Sequence, residues 1–358
     1  MTTLLLFIAG LAGLGIGAEL LVRGSAKLAL SFGISPLVVG LTIVAFGTSA
    51  PEMAVGASAA LAGQNDVAIG NVVGSNIFNV LFILGISALI TPLAVHAQVV
   101  RQEVPIMLAA TLLFVLFALG GEIVLWEAAL LFLLLIAYTA FLILQSRRQT
   151  RATTDEFAGE MPPDSGWDRH WSVQCALVVV GLVLLVAGSD WLVTAAVEFA
   201  RHLGVSELVI ALTLVAAGTS LPEVAASIMA AVRGQRDIAV GNVVGSNVFN
   251  LLGCVGIAGL VAPSGLQVAP SILQVDLWVM AASLFACLPI FAFRYEIARW
   301  QGGLFFAGYV AYTVYVILAA QQHPALGGFS QIMLWGVLPL TALLMLWMFA
   351  RRRPPDQG

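Results

Sequence analysis

The sequence predicts an all-α polytopic membrane protein: about ten core helices arranged as two inverted five-helix repeats, with one extra C-terminal helix. Three observations predict it. Of 358 residues, 60% are hydrophobic and 9% charged, whereas an ordinary soluble domain is about 25% charged. The apolar residues come in runs of roughly 20, the length a helix needs to cross the hydrocarbon core of a bilayer. A stretch of the chain also recurs 171 residues further on, so that Glu52 falls on Glu223. Together these exclude a soluble enzyme or binding module and leave no segment long enough for a separate soluble domain. The lipid bilayer is the partner that the composition implies. Nucleic-acid binding has no support at a net charge of −4, and nothing in the sequence calls for an obligate protein partner.

The spans follow in order. Residues 1–22 form the first: there is no basic segment ahead of the apolar run, and Glu19 and Arg23 stand where a signal peptide would need small residues for cleavage. Further apolar runs cover 36–62, 67–91, 104–120, 124–145, 173–200, 207–232, 238–262, 271–293, 303–320 and 332–350. The first repeat is thus residues 1–145, the second 173–320, and 332–350 is the additional span. Between the repeats, 146–172 mixes both signs of charge with Pro162 and Pro163 and reads as a flexible cytoplasmic linker. With the N-terminus outside, Arg201 alone among the 15 Lys and Arg residues faces outward. By the positive-inside rule this bias sets the orientation and makes the C-terminus cytoplasmic.

The histidines, His96, His170, His202 and His323, lie in connections; Trp126, Trp167, Trp171, Trp191, Trp278, Trp300 and Trp335 lie near span ends, where amphipathic rings anchor in the headgroup layer. Cys175, Cys254 and Cys287 have no metal-ligand spacing and read as packing residues. Asp66 and Asp237 read as helix caps, and Glu103 and Asp276 as acids opening their spans, where the helix dipole favours negative charge. Glu19 and Asp190 correspond across the repeat, nearer the span ends.

The internal repeat is the most informative feature. Laying Ser35–Val80 over Ser206–Leu251 makes 28 of 46 pairs identical, well beyond shared hydrophobicity. One copy reads GTSAPE from Gly47 to Glu52 and GNVVGSNIFN from Gly70 to Asn79; the other reads GTSLPE from Gly218 to Glu223 and GNVVGSNVFN from Gly241 to Asn250. An odd number of spans separates the copies, so the halves enter the membrane in opposite directions. Transporters built from such halves bind their substrate near the bilayer midplane at the repeat interface.

Glu52 and Glu223 fall inside spans, where an unpaired carboxylate costs roughly 2.5–3.5 kcal/mol at a helix centre. No Lys or Arg lies inside any span to offset this, which leaves a protonated state or a bound cation. On a continuous helix Ala45, Thr48, Ser49 and Glu52 share one face, as do Ala216, Thr219, Ser220 and Glu223. Pro51 and Pro222 lack an N–H, so the carbonyls of Gly47 and Gly218 lose their usual donors and become available to a metal. In the next span Ser75 and Asn79 share a face, as do Ser246 and Asn250, and Gly70, Gly74, Gly241 and Gly245 permit close helix approach. The set offers only oxygen. Two carboxylates neutralise a divalent charge, and hard cations such as calcium take six to eight oxygen ligands.

These motifs resemble the alpha-repeats of the sodium/calcium exchanger family, within the calcium/cation antiporter superfamily. The resemblance implies a secondary transporter rather than an enzyme, with calcium and sodium as transported ions and no cofactor. It implies that Glu52 and Glu223 are the central calcium carboxylates and that Thr48 and Thr219 ligate calcium and sodium. Ser49, Ser220, Ser75 and Ser246 would supply further sodium-site oxygens, Ala45 and Ala216 carbonyls, and Asn79 and Asn250 the central amides. Some members carry Asp at the second of these amide positions; the Asn here departs from the potassium-cotransporting branch. Gly70 to Asn79 contains no acidic residue, unlike the usual segment of the proton-coupled branch, which favours sodium. A calcium/proton antiporter using the same glutamates is the alternative. The linker is too short for the calcium-sensing domains of animal exchangers, and 332–350 exceeds the family's usual ten spans.

Overall fold

The computed structural model describes residues 2–149, 170–202 and 216–351. Its helices are α1 (Thr2–Phe32), α2 (Pro36–Thr48), α3 (Ala50–Leu61), α4 (Asn65–Ile90), α5 (Val99–Ala118), α6 (Leu125–Gln149) and α7 (Trp171–His202). A helical turn, Ala216–Gly218, then precedes α8 (Leu221–Val232), α9 (Arg236–Val261), α10 (Ile272–Arg294), α11 (Arg299–Ala320) and α12 (Ala325–Ala350). Among the described residues nine helices are long and apolar enough to cross a membrane, and the bent pair α2–α3, counted as one span, brings the number to ten. The chain is a multi-pass membrane protein. Most of the expected linker, and the first part of the expected span 207–232, lie outside the described residues.

The polar motifs sit on the innermost helices. Among the long apolar helices α9 and α4 are the most enclosed, whereas α11 and α12 are largely exposed and face outward. Apolar side chains therefore point to lipid and oxygen-bearing ones to the centre, as a bilayer solvent requires. α12, the extra helix, packs on α10, and its Met348 meets Gln301 of α11.

Two short antiparallel clasps join the halves. β1 (Leu93–Ala94) pairs with β4 (Glu296–Ile297), and β2 (Glu122–Ile123) pairs with β3 (Leu266–Gln267). β1 follows α4 as β3 follows α9, and β2 follows α5 as β4 follows α10, so the rotation relating the halves exchanges the clasps.

α1 runs ten residues beyond the predicted end at 22, carrying Arg23 and Lys27 within the helix. Its length is matched by α7, and the two pack along a seam of small residues. A Cβ placed at Gly17 would lie 2.8 Å from the Gly181 carbonyl oxygen, and one at Gly188 would lie 2.7 Å from the Leu14 nitrogen. Without a hydrophobic driving force between helices in lipid, such backbone approach is what supplies the contact. On the flank of this pair Glu19 accepts an ion-paired hydrogen bond of 2.7 Å from Arg233, with side chains 33% and 58% exposed. Exposed pairs of this kind are worth about 0–1 kcal/mol, so Glu19→Gln should move the thermal unfolding midpoint by no more than a few degrees. A larger loss in a detergent melt would mean that the pair holds α1 in place.

Three local expectations are corrected. Gln64 and Gln235 are the residues at the N-caps of α4 and α9, so Asp66 and Asp237 lie in the first turn; the chain leaves the preceding left-handed glycines, Gly63 and Gly234, and re-enters helix before the acids. Glu103 is not a free helix-opening charge: it is buried, accepting from Gln98 at 2.9 Å, Gln102 at 2.7 Å and Tyr138 at 2.8 Å. Asp276 likewise accepts from Tyr312 at 3.0 Å. Finally, the second span is not one continuous helix but bends by 44° between α2 and α3.

Candidate ion site

The bend builds the site. Pro51 denies the preceding turn a donor and its ring crowds the carbonyl four residues back, so the helix cannot run through. Ser49 leaves helical geometry at φ −82°, ψ 1°, and its repeat partner Ser220 does the same at φ −91°, ψ 5°. The single face expected for Ala45, Thr48, Ser49 and Glu52 is therefore split. Ala45 and Thr48 end one helix, and Glu52 sits in the first turn of the next; Glu223 repeats this at the start of α8. The carboxylates thus stand at helix N-termini, whose dipoles favour negative charge, and the Thr48 end presents carbonyls to the same region.

The two halves meet by exchange. Ser49 Oγ donates to Glu223 Oε1 at 3.1 Å, and Ser220 Oγ lies 2.9 Å from Glu52 Oε1, so each carboxylate is held by the serine at the other half's break. Ser220 also lies 3.3 Å from the Ser75 hydroxyl. Thr48 Oγ1 reaches Asn242 Oδ1 at 3.2 Å, and Thr219 Oγ1 reaches Asn71 Oδ1 at 3.5 Å. Asn79 Nδ2 donates to Asn247 Oδ1 at 3.4 Å. Glu52, Glu223, Thr48, Ser49, Ser220, Ser75, Ser246, Asn79 and Asn250 are all buried. Asn79 and Asn250 each lie in a widened, π-helical stretch, Phe78–Leu84 and Phe249–Cys254, a local distortion frequent at functional sites.

Several buried acceptors find no hydrogen-bond partner in the protein: Glu52 Oε2, Glu223 Oε2, Asn76 Oδ1, Asn79 Oδ1 and Ser246 Oγ. A buried polar atom left unpaired costs about 1–3 kcal/mol, and more when charged. Among the described residues no group of three or more His, Cys, Asp or Glu gathers anywhere; the buried polar atoms gathered here are two carboxylates and neutral hydroxyls and amides. That donor set is the one hard cations take.

Other candidates are placed differently. The carbonyl of Gly218 accepts the Ser189 hydroxyl of α7 at 2.6 Å, and a Cβ at Gly47 would meet Leu182 of α7 at 2.6 Å. Ala45 O accepts from Ser49 N at 3.0 Å and from Thr48 Oγ1 at 3.4 Å. Ala216 begins the short turn ahead of Ser220. Gly241 and Gly245 do bring helices together: a Cβ at either would lie within 2.9 Å of a backbone oxygen of α2. Residues 208–215, the repeat equivalent of that α2 segment, lie outside the described residues, so for Gly70 and Gly74 no such contact is described.

Sequence reasoning missed Asn71, Asn242, Asn76 and Asn247, all inside the repeated GNVVGSN segment; their recurrence at 171 residues was the available signal. It also missed that the Cys254 thiol lies 3.4 Å from Asn250 Oδ1, leaving Asn250 Nδ2 as the atom without a partner.

A family model described as sodium/calcium exchanger protein matches residues 2–144 and 173–318. The chain is 40% identical over 284 residues, 78% of its length and 86% of the relative's, to an Alkalimonas amylolytica protein provisionally named an antiporter, CaxA. It is 33% identical over 341 residues to the sodium/calcium exchanger MaX1 of Methanosarcina acetivorans, covering 87% of this chain and 97% of that one. Among solved structures, the sodium-calcium exchanger NCX_Mj superposes with a TM-score of 0.74 at 28% identity, over 89% of this chain and 98% of that one.

Proposed function

The chain belongs to the sodium/calcium exchanger protein family, and from that premise we propose that it exchanges calcium for sodium across the membrane, both ions using the one site at the repeat interface in turn. The observation that carries this reading is the pair of buried carboxylates, each with one oxygen tied to a serine of the other half and the other oxygen without a protein partner. A divalent ion cancels both charges and satisfies the free oxygens together. The proposed ligands are Glu52 and Glu223 with Thr48, Thr219, Ser49, Ser220, Ser75, Ser246, Asn79 and Asn250, and the carbonyls of Ala45, Ala216 and Gly47 complete the set; the Gly218 carbonyl, bonded to Ser189, stands outside it.

Exchange rather than free passage follows from charge. With no ion, two carboxylates face each other in a low dielectric, and an occluded state of that kind is costly. Calcium, or several sodium ions, removes the penalty, so only loaded forms switch sides readily. Inverted halves around one midplane site favour alternating access over a continuous pore. We place the protein in the plasma (inner) membrane, as the name of an Escherichia coli inner membrane protein 33% identical to it suggests, and the distribution of Lys and Arg puts its N-terminus outside and its C-terminus in the cytoplasm.

The test is calcium uptake by proteoliposomes. An outward sodium gradient should drive uptake several-fold above the gradient-free rate, and a pH gradient of equal size should not. Uptake driven by the pH gradient alone would replace this reading with calcium/proton antiport at the same glutamates.

A further inference from the structure

The ion site rests on neighbours that are not themselves ligands, and one is built more firmly than its repeat counterpart. Asn242 of α9 is fully buried, with its amide fixed at both ends: Nδ2 donates to Ser227 Oγ at 2.9 Å, which leaves Oδ1 as the atom facing the Thr48 hydroxyl at 3.2 Å. Amide oxygen and nitrogen are assigned from such partners, and here the Ser227 contact on α8 and the Thr48 contact on α2 agree. Thr48, Asn242 and Ser227 thus link three helices from both halves around the glutamates.

A hydroxyl has one proton and two lone pairs. To ligate a cation it must turn a lone pair inward and send its proton elsewhere. The Thr48 proton has three acceptors within reach: Asn242 Oδ1 at 3.2 Å, Ala45 O at 3.4 Å, which already accepts from Ser49 N, and the Glu223 carboxylate, whose oxygens are the ones offered to the ion. We propose that Asn242 is a positioning residue for the ion site: by taking the Thr48 proton it turns that proton away from the Glu223 carboxylate and aims a lone pair of the Thr48 oxygen at the ion.

The repeat supplies an internal contrast. Asn71 is the equivalent of Asn242, but it lies only partly buried, 3.5 Å from Thr219 Oγ1, and donates at 3.4 Å to the Glu52 carbonyl. Where the second half has Ser227, the first has Gly56, so nothing of that kind pins the Asn71 amide. The firm brace belongs to Thr48 alone, and the two threonines are not equivalent ligands.

This inference rests on the ion site proposed above, and the experiment separates the two. Calcium uptake is measured against calcium concentration in proteoliposomes for wild type, Asn242→Ala, Ser227→Ala, Thr48→Val, the two double variants with Thr48→Val, and Asn242→Asp. One oriented hydrogen bond is worth about tenfold in affinity, so Asn242→Ala should raise half-saturating calcium about tenfold while the maximal rate falls far less. Ser227→Ala should raise it by a smaller factor, about two- to threefold, by releasing the amide. Asn242→Asp, which keeps an acceptor, should recover most of the loss. Once Thr48 is Val, neither second substitution should matter further, since their effect passes through its hydroxyl. Shifts that multiply in the double variants, or an unchanged half-saturation in Asn242→Ala, overturn the inference. If Asn242→Ala fails to run as a monodisperse species, the Ser227→Ala pair decides by the same criterion. Wild-type exchange in Glu52→Gln would instead overturn the site reading itself.

Discussion

Glu52→Gln is expected to insert into the membrane normally and to lose calcium flux to background. The amide is nearly isosteric and still accepts from Ser220, so the contact across the repeat interface survives while the charge does not. Glu52 is fully buried, and its second oxygen has no protein partner to take over. Removing one member of a buried, charge-compensated set costs about 3–5 kcal/mol because the remaining charge is left uncompensated. For calcium that corresponds to a fall in affinity of between about a hundredfold and several thousandfold. Glu223→Gln should behave alike, since Ser49 holds it as Ser220 holds Glu52. Isotopic calcium uptake at matched protein density is the measurement, and exchange at the wild-type rate in either variant would remove both glutamates from the site.

The second large effect concerns packing. A Cβ at Gly181 would lie 2.6 Å from the Leu21 nitrogen and 2.8 Å from the Gly17 carbonyl oxygen, both backbone atoms of α1. Backbone cannot rotate away as a side chain can, so Gly181→Val must drive α1 and α7 apart along their seam. Overpacking of a well-packed contact costs about 1–3 kcal/mol, and with two helix backbones in collision the upper end applies. The expected result is a marked loss of monodisperse protein in detergent, and of exchange in whatever remains. Gly15→Val is the control: it lies on the exposed side of α1, away from the seam, and among the described residues nothing is within 4 Å of its Cβ. Equal behaviour of the two variants would mean that α1 and α7 do not pack as described.

Particular residues show how far the sequence could be read. Glu52 and Glu223 were legible because a carboxylate within an apolar span is expensive and its exact recurrence at 171 residues is not explained by hydrophobicity. Pro51 marked a disturbed helix, yet the spacing alone could not say whether the chain would kink and continue or stop at Ser49 and restart. Asp66 was misplaced by one turn's logic, because a cap is defined by backbone angles that a residue type only favours. The α1–α7 seam was missed although Gly10 and Gly17 recur as Gly181 and Gly188, because glycine in a span marks close approach without saying to which helix.

What the sequence determined by itself, then, is the environment and the symmetry. Composition placed the chain in lipid, and the repeated motifs fixed two halves and an all-oxygen set of side chains, since burial cost and periodicity are properties of one chain read along its length. Only the tertiary structure decided that Ser49 serves Glu223 and Ser220 serves Glu52, that Asn242 is braced where Asn71 is not, and which buried oxygens are left without a partner in the protein. A hydrogen bond needs two atoms within about 3.5 Å at a favourable angle. Between residues some 170 positions apart, nothing but the packing of helices brings them there.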